Sequence, residues 1–283
     1  MTLRPPSDAD AEAVAALASE HWPTPIDAES VLHSWNAPTI DRERDVRVEP
    51  DGYARVEEIG EDRVWISLAG APSDELMEWM EARAGESGRR IFSGCASTHE
   101  QLGHRLAERG FRVIRCSQRM EIDLAQPAAE PVWPDGVSVR AFIPGDENAF
   151  YDVHQESFRD HWEPVETPYD EWRHYLVDAP TFDPEIWFLA TEGDSPTGVA
   201  ICLVRPAAPD TGMVGILGVL KPWRHRGIGR ALLLHAFAEF RRKGLTRAAL
   251  GVDSESLSGA HLLYESAGMH VTHRFDIYEK ELE

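Results

Sequence analysis

The sequence predicts two consecutive copies of one α/β (α+β) unit, each with a mixed central sheet flanked by helices. The chain has 283 residues, a length that suits two domains of ordinary size. Residues 106–124 align without a gap on residues 264–282, and both segments pass from a helix end through a glycine into strand-like runs. A stretch rich in proline and small residues separates the copies. We therefore expect domains at residues 1–125 and 137–283, joined by a linker at residues 126–136.

The strands of the second copy are predicted from short apolar or alternating runs bounded by turn residues. The run MVGILGV at residues 213–219 is almost continuously apolar, as is typical of a central strand whose two faces are covered. The predicted strands are residues 137–141, 186–192, 198–204, 213–219 and 247–252, and a closing hairpin is expected after Gly268.

The helices of the second copy follow from apolar residues at helical spacing. Such residues recur between Ile228 and Phe240 and form the apolar face of a predicted helix. Gly227 and Gly244 mark the two ends of that helix. The remaining helices are predicted at residues 146–157, 169–176 and 258–267. The first copy is expected to open with a short strand at Leu3 and Arg4, as the second does at Val139 and Arg140.

Composition argues against several classes of protein. The net charge of -21 disfavours a general nucleic-acid binder, because Lys and Arg contacts to phosphates supply most of that affinity. No apolar run approaches the roughly 20 residues that cross a bilayer, and the first ten residues lack secretory features, so we expect a cytoplasmic protein without a membrane segment. Three cysteines without C-x-x-C spacing indicate reduced thiols. The histidines lack the spacing of zinc enzymes, so we predict no metal.

One window departs from the acidic average. Residues 221–247 contain eight basic residues and one acidic residue, Glu239. A solvated helix face is one interpretation of this window. A docking site for a small polyanion is the sharper one.

The segment MVGILGVLKPWRHRGIGR, residues 213–230, runs from the apolar strand through a loop into a helix. The first N–H groups of a helix lack helical partners and the helix dipole favours negative charge there, so this helix start is a candidate anion site. Gly227 and Gly229 allow a phosphate to approach the backbone. The arginines that add positive charge are Arg224, Arg226 and Arg230.

The loop matches two familiar nucleotide motifs poorly. No GKS or GKT follows the glycines, and Leu232 stands where the dinucleotide fingerprint requires Gly or Ala. The hexapeptide RHRGIG at residues 224–229 instead resembles the R/Q-x-x-G-x-G/A loop of the GNAT acyltransferase superfamily. LYESAGM at residues 263–269 is similar to that family's L-Y-E-x-x-G-F pattern. The resemblance covers residues 137–283 and, weakly, residues 1–124, as in tandem GNAT proteins such as mycothiol synthase.

The resemblance implies an acyl-CoA donor, with acetyl-CoA the first choice. Its pyrophosphate is expected on the backbone amides of Arg224, His225, Arg226, Gly227, Ile228, Gly229 and Arg230. Its pantetheine arm is expected beside Leu217, Gly218 and Val219. Ser256 stands where many members have an asparagine that contacts the cofactor.

The family transfers the acyl group by direct attack of an amine on the thioester, without a covalent enzyme intermediate. Tyr264, in the family's tyrosine position, is the candidate general acid, and the backbone N–H of Val219 is a candidate oxyanion donor. The alternative interpretation of Tyr264 is a core aromatic residue on an amphipathic helix. The base is unassigned, because the central strand carries no carboxylate. Polar residues expected near the acceptor, each more often structural, are His154, His161, Glu163, Asp183, Glu185 and Glu192.

The first copy lacks the basic loop. Its central strand, predicted at residues 63–69, leads to a helix start that carries Asp74 and Glu75, and carboxylates there repel phosphates. We expect a non-catalytic first copy. The leading hypothesis is an N-acetyltransferase acting on a primary amine of a small molecule, as a monomer or homodimer. The alternatives are a catalytically silent CoA-binding or sensor protein and a protein N-terminal acetyltransferase.

Overall fold

The computed structural model describes residues 3–20, 22, 24–60, 62–87, 90–125, 129–164, 166–255 and 259–282. Contacts within the chain group it into two compact units. Unit 1 comprises Met1–Ser117 together with His273–Glu283, and unit 2 comprises Gln118–Thr272. Each unit contains a mixed sheet flanked by helices, which confirms the predicted fold class. The two sequence domains and their linker remain a prediction.

The first part of the chain forms four strands and five helices within the described residues. The strands are β1 (Val46–Glu49), β2 (Gly52–Ile59), β3 (Arg63–Gly70) and β4 (Arg90–Ala96). The helices are α1 (Ala11–Ser19), α2 (Ala28–Trp35), α3 (Arg42–Asp45), α4 (Asp74–Gly85) and α5 (Glu100–Glu108). A long strand, β5 (Arg112–Asp123), follows.

The second part begins with β6 (Val137–Ala141), α6 (Glu147–Phe158) and α7 (Tyr169–Leu176). Three strands follow: β7 (Trp187–Glu192), β8 (Ser195–Val204) and β9 (Thr211–Val219). The last elements are α8 (Ile228–Arg242), β10 (Arg247–Asp253), α9 (Ala260–Ser266) and β11 (His270–Glu281).

The two units arrange their strands in a similar order. In unit 1 the strand order is β1-β2-β3-β4-β11, and the β3–β4 pair is parallel between antiparallel neighbours. In unit 2 the order is β6-β7-β8-β9-β10-β5, with β9 and β10 parallel. Helices α4 and α5 cover one face of the first sheet, and α1 and α2 cover the other. Helix α8 buries its apolar face, including Leu232, Phe237 and Phe240, in the core of unit 2.

Two predictions about local structure are wrong. The segment after Gly268 is one strand of 12 residues, β11, and not a hairpin, and the aligned segment after Gly110 is the 12-residue strand β5. Neither run contains a glycine, proline or asparagine at which the chain could turn back. Arg4 makes only an isolated bridge to Val48 where a short strand was expected.

Candidate functional site

A cleft opens in unit 2 where two parallel strands stop pairing. The last pair of β9 with β10 is Val214 with Leu250, although β9 continues to Val219 and β10 to Asp253. Gly215 is an extra residue at that point, because Ile201 and Cys202 of β8 pair with Ile216 and Val214. Such a bulge bends a strand away from its neighbour. The ends of β9 and β10 are therefore free to admit a ligand between them.

The register of β9 shows which backbone groups face this cleft. The N–H of Leu220 donates to the carbonyl of Thr197 at 2.9 Å, so these opposite residues form a hydrogen-bonded pair. Pairs alternate along an antiparallel ladder, and Val219 therefore directs its N–H and C=O away from β8 and into the cleft. The same alternation turns Leu217 to the cleft and Gly218 to β8. Two of the three residues predicted to flank pantetheine thus present backbone polar groups to the cleft.

The loop after β9 leads to a helix start with free donors. Gly227, the residue before α8, has φ +90°, and His225 has φ +62°, both in the left-handed region. The first bond into the helix runs from the N–H of Ala231 to the carbonyl of Gly227, at 3.0 Å. In the part of the chain that the structure describes, the N–H groups of residues 225–230 have no acceptor. Six neighbouring donors at a helix start have the geometry that suits an anion.

The three arginines of this loop are placed differently. Arg226 pairs with Glu192 at 2.5 Å, whereas Arg230 has no ion-pair partner among the described residues. Arg224 turns inward, where its side chain bonds the carbonyls of Val219 and Ser157 and the carboxylate of Asp160. Its N–H is also engaged, with the carbonyl of Lys221 at 3.3 Å.

The basic window of the sequence does not form one site. Within the described residues, six of its eight basic side chains pair with acidic groups, the exceptions being Arg230 and Arg241. Arg241 and Lys243 lie at the opposite end of the 15-residue helix α8 from the loop, about 22 Å away at 1.5 Å per residue. Only the loop end faces the cleft.

Tyr264 lies on α9, which packs beside the start of α8. Its neighbour Leu263 places Cδ1 at 3.5 Å from where a Cβ on Gly229 would stand. The Tyr264 side chain is 8% exposed, and this burial raises its pKa to about 12. The phenol therefore stays protonated at physiological pH and can serve as a donor. The same shift enlarges the mismatch with a thiolate of pKa about 8.5, so proton transfer requires close placement.

The polar residues expected around an acceptor do not converge. Asp183 and Glu185 both bind Lys243, at 2.8 and 2.7 Å, at the far end of α8 from the loop. Glu192 lies beside the loop, where it also accepts from the Trp223 indole at 3.0 Å. His161 is exposed, and Glu163 has φ +49°.

His154 on α6 is held as a neutral imidazole. Its Nδ1 accepts a hydrogen bond from the Trp172 indole at 2.9 Å. Burial, with a smaller contribution from His161, lowers its pKa to about 4.

Ser256 lies outside the described residues.

The structure adds Ser157 and Asp160 to the site. Ser157 lies in the last turn of α6, Asp160 lies two residues beyond it, and both bind Arg224. No local signal in the sequence marks them, since their partner is more than 60 positions away. Among the described residues, no group of three or more His, Cys, Asp and Glu could hold a metal ion, and no helix is long and apolar enough to span a bilayer.

Among the described residues, unit 2 thus combines a parallel strand pair that opens with a helix start whose N–H groups lack acceptors. This arrangement suits an anionic group joined to an extended arm, as in the donor of acyl-CoA-dependent transferases. The sequence profile of the acetyltransferase (GNAT) family matches residues 147–269. A mycothiol acetyltransferase of Thermobispora bispora is 34% identical over 222 residues, which cover 72% of this chain and 74% of that protein. The chain belongs to the GNAT acetyltransferase family.

Solved structures agree with this assignment. A GCN5-related N-acetyltransferase from Sphaerobacter thermophilus superposes with a TM-score of 0.77 at 29% identity, over 99% of this chain and 95% of that one. A tandem GNAT protein from the clavulanic acid biosynthesis pathway gives a TM-score of 0.72 at 14% identity, over 99% and 98% of the two chains, and shares the fold. The predicted tandem architecture is thus confirmed. Matches to mycothiol acetyltransferases span 62% of one relative's length and 74% of another's.

Proposed function

We propose that unit 2 binds acetyl-CoA and transfers its acetyl group to a primary amine of a small molecule in a ternary complex. The observation that carries this proposal is the run of six N–H groups at residues 225–230 without acceptors in the described chain. A pyrophosphate supplies the negative charge and the several acceptor oxygens that such a run requires. Arg230, without an ion-pair partner among the described residues, adds a positive charge at the same end.

The cleft would supply a place for the pantetheine arm, an oxyanion donor and a proton donor. The pantetheine arm would lie along Leu217 and Val219, whose backbone polar groups face the cleft. The amine nitrogen attacks the thioester carbonyl, the C–S bond breaks, and the amine loses one proton while the thiolate gains one. The N–H of Val219 would stabilise the developing oxyanion. Tyr264 would donate the proton to the thiolate.

The acceptor is proposed from the relatives. Several proteins similar to this chain carry the name mycothiol acetyltransferase, so the amine that those enzymes acetylate is the first acceptor to test. The site itself supplies no carboxylate on β9 to act as base. An amine that reaches the cleft already deprotonated, or that loses its proton to water, fits this site better than one needing an enzyme base.

Calorimetric titration followed by a turnover assay tests the proposal. Purified protein is titrated with acetyl-CoA and, separately, with ATP and NAD, and then incubated with acetyl-CoA and a panel of amines while free thiol is measured. We expect binding of acetyl-CoA alone and thiol release with at least one amine. Absence of acetyl-CoA binding to folded protein would overturn the proposal. Binding without thiol release from any amine would instead support a silent CoA-binding protein.

A further inference from the structure

The side chain of Arg224 is committed to three partners inside unit 2. Its Nε donates to the carbonyl of Val219 at 3.0 Å, and its Nη2 donates to the carbonyl of Ser157 at 2.9 Å. Its Nη1 pairs with Asp160 at 3.0 Å. Hydrogen bonds from Lys221 and Arg224 hold the pKa of the Asp160 carboxyl below its usual range, so this partner stays charged. Three of the five guanidinium N–H donors are thus engaged, and a movement of the side chain toward the loop amides would break these contacts.

These partners belong to two elements that meet at the cleft. Val219 ends β9, whereas Ser157 lies in the last turn of α6 and Asp160 lies two residues beyond that helix. The two elements are in close contact there, because a Cβ on Gly218 would stand only 2.2 Å from Oγ of Ser157. Arg224 therefore fastens the end of α6 to the strand end that carries the thioester site.

The contact with Val219 fixes a peptide group that faces the cleft. The carbonyl of Val219 accepts from Arg224, and the N–H of Leu220 in the same peptide plane donates to Thr197. Both ends of this plane are thus bonded, and a planar peptide bonded at both ends cannot rotate without losing one bond. Val219, whose own N–H faces the cleft, is held in place by this arrangement.

We infer that Arg224 is a positioning residue for acyl transfer and not a phosphate ligand. It aligns the Val219 backbone and the end of α6 with the reacting thioester, and the phosphates are left to the free amides and Arg230. The inference rests on the proposed function, since it assigns a role within the same site. A displacement of about 1 Å at reacting groups costs about 100-fold in rate, whereas phosphate binding at the loop would be untouched.

Variants of Arg224, Asp160 and Arg230 separate the two roles. Arg224→Met and Arg224→Lys should lower kcat by about 10- to 100-fold and change the Kd for acetyl-CoA by less than about threefold. Asp160→Asn should shift kcat in the same direction to a smaller extent. Arg230→Met is the matched charge removal and should raise the Kd by about tenfold with kcat at saturation retained. Calorimetry gives the Kd, and saturation kinetics with the best amine gives kcat.

Two results would overturn the inference. One is that Arg224→Met raises the Kd for acetyl-CoA as Arg230→Met does and keeps kcat. The other is that neither kcat nor the Kd changes in Arg224→Met. Asp160 is half exposed, so Asp160→Asn keeps the test available if the Arg224 variants fail to fold. In that event, an unchanged kcat in Asp160→Asn overturns the inference. Wild-type protein that binds no acetyl-CoA would refute the proposed function itself, a result distinguishable from all of these.

Discussion

The starts of helices α4 and α8 hold the same place in the two units and have opposite electrostatics. Each helix follows the central strand, beyond the point where that strand stops pairing with its parallel neighbour. At α8 the N–H groups of residues 225–230 have no acceptor among the described residues, and arginines flank them. At α4 the N–H and the hydroxyl of Ser73 donate to the two carboxylate oxygens of Glu49, both at 2.6 Å, and the Ser73 hydroxyl oxygen caps the N–H of Leu76 at 3.2 Å.

In unit 1, Glu49 therefore accepts from donors at the start of α4. At the start of α8 in unit 2, the N–H donors have no such acceptor among the described residues. Asp74 and Glu75 in the first turn of α4 add further negative charge. These carboxylates disfavour a phosphate at the start of α4, because they repel its negative charge and because Glu49 already occupies the donors of Ser73. The comparison shows that the fold alone does not make an anion site, because a single carboxylate from a distant strand can close it.

The strand ends behind these helices differ in the same sense. In unit 1 the space between the ends of β3 and β4 is a small cavity lined by mostly apolar side chains, among them Leu68, Cys95 and Leu102. Burial raises the pKa of the Cys95 thiol to about 11, so this cysteine remains a protonated packing group. Among the described residues, the lining of this cavity contains no Arg, Lys, Asp or Glu, so it lacks the positive charge present at the start of α8.

The largest expected effect is on the affinity for acetyl-CoA, when a carboxylate is placed at the start of α8 as Glu49 places one at the start of α4. Gly227→Asp should raise the Kd for acetyl-CoA by at least about 100-fold, because its carboxylate repels phosphate and bonds the first N–H groups of the helix. Gly227→Asn is the matched control, since both residues tolerate a left-handed φ, and it should raise the Kd by about tenfold or less. Calorimetry should also count one acetyl-CoA per wild-type chain. Equal losses in both variants would assign the effect to backbone strain and not to charge.

Removal of a buried phenol from each unit gives the next effect. Tyr264→Phe should lower kcat by about 10- to 100-fold with little change in the Kd for acetyl-CoA, because only the proton donor is lost. Tyr278 in unit 1 also has its pKa raised to about 12 by burial, so Tyr278→Phe is a matched deletion away from the proposed site. It should leave kcat unchanged. Equal kcat losses in the two variants would contradict the role of Tyr264.

Removal of the Glu49 carboxylate from the start of α4 should lower the stability of the protein without creating a second binding site for acetyl-CoA. Glu49→Ala leaves two donors of Ser73 unpaired and should lower the free energy of unfolding by about 2 kcal/mol. Glu49→Gln keeps one acceptor oxygen and should cost about half as much. Denaturant unfolding measures both. Acetyl-CoA stoichiometry should stay at one per chain in Glu49→Ala, since Asp74 and Glu75 remain. Wild-type stability in Glu49→Ala would show that this contact does not hold α4.

The smallest effect is a pH dependence confined to α6. The pKa of His154 is about 4 in the folded protein, below the value of about 6.5 expected when unfolded, so the unfolded chain takes up the proton first. Stability is therefore full above pH 7 and should fall by about 1 kcal/mol between pH 7 and pH 5.5. Helix α1 of unit 1 has no histidine to respond in this way. His154→Gln, which can still accept from Trp172, should remove this part of the slope. An unchanged slope in that variant would exclude His154 as its source.

The sequence predicts the elements of unit 2 well where the signals are local. Helix α7 has the predicted bounds, and α8 begins beside Gly227, because helical spacing and glycines act within a few residues. The partners of distant residues were not predictable. Glu49 reaches a helix 24 positions away, and Arg224 reaches a carboxylate 64 positions away. The motif alone predicts Arg224 as a phosphate ligand, and only the structure shows that its side chain bonds Val219, Ser157 and Asp160.

Strand β11 sets an order for the folding of the chain. It completes the unit 1 sheet by pairing with β4 from Phe275 to Glu281, yet the ribosome makes these residues after all of unit 2. The unit synthesised first is consequently the last to be completed, in contrast to the usual N-terminal-first order. Until then the edge of β4 has unpaired N–H and C=O groups, which attract other strands. A nascent chain that has not reached residue 275 would therefore present that edge to solvent.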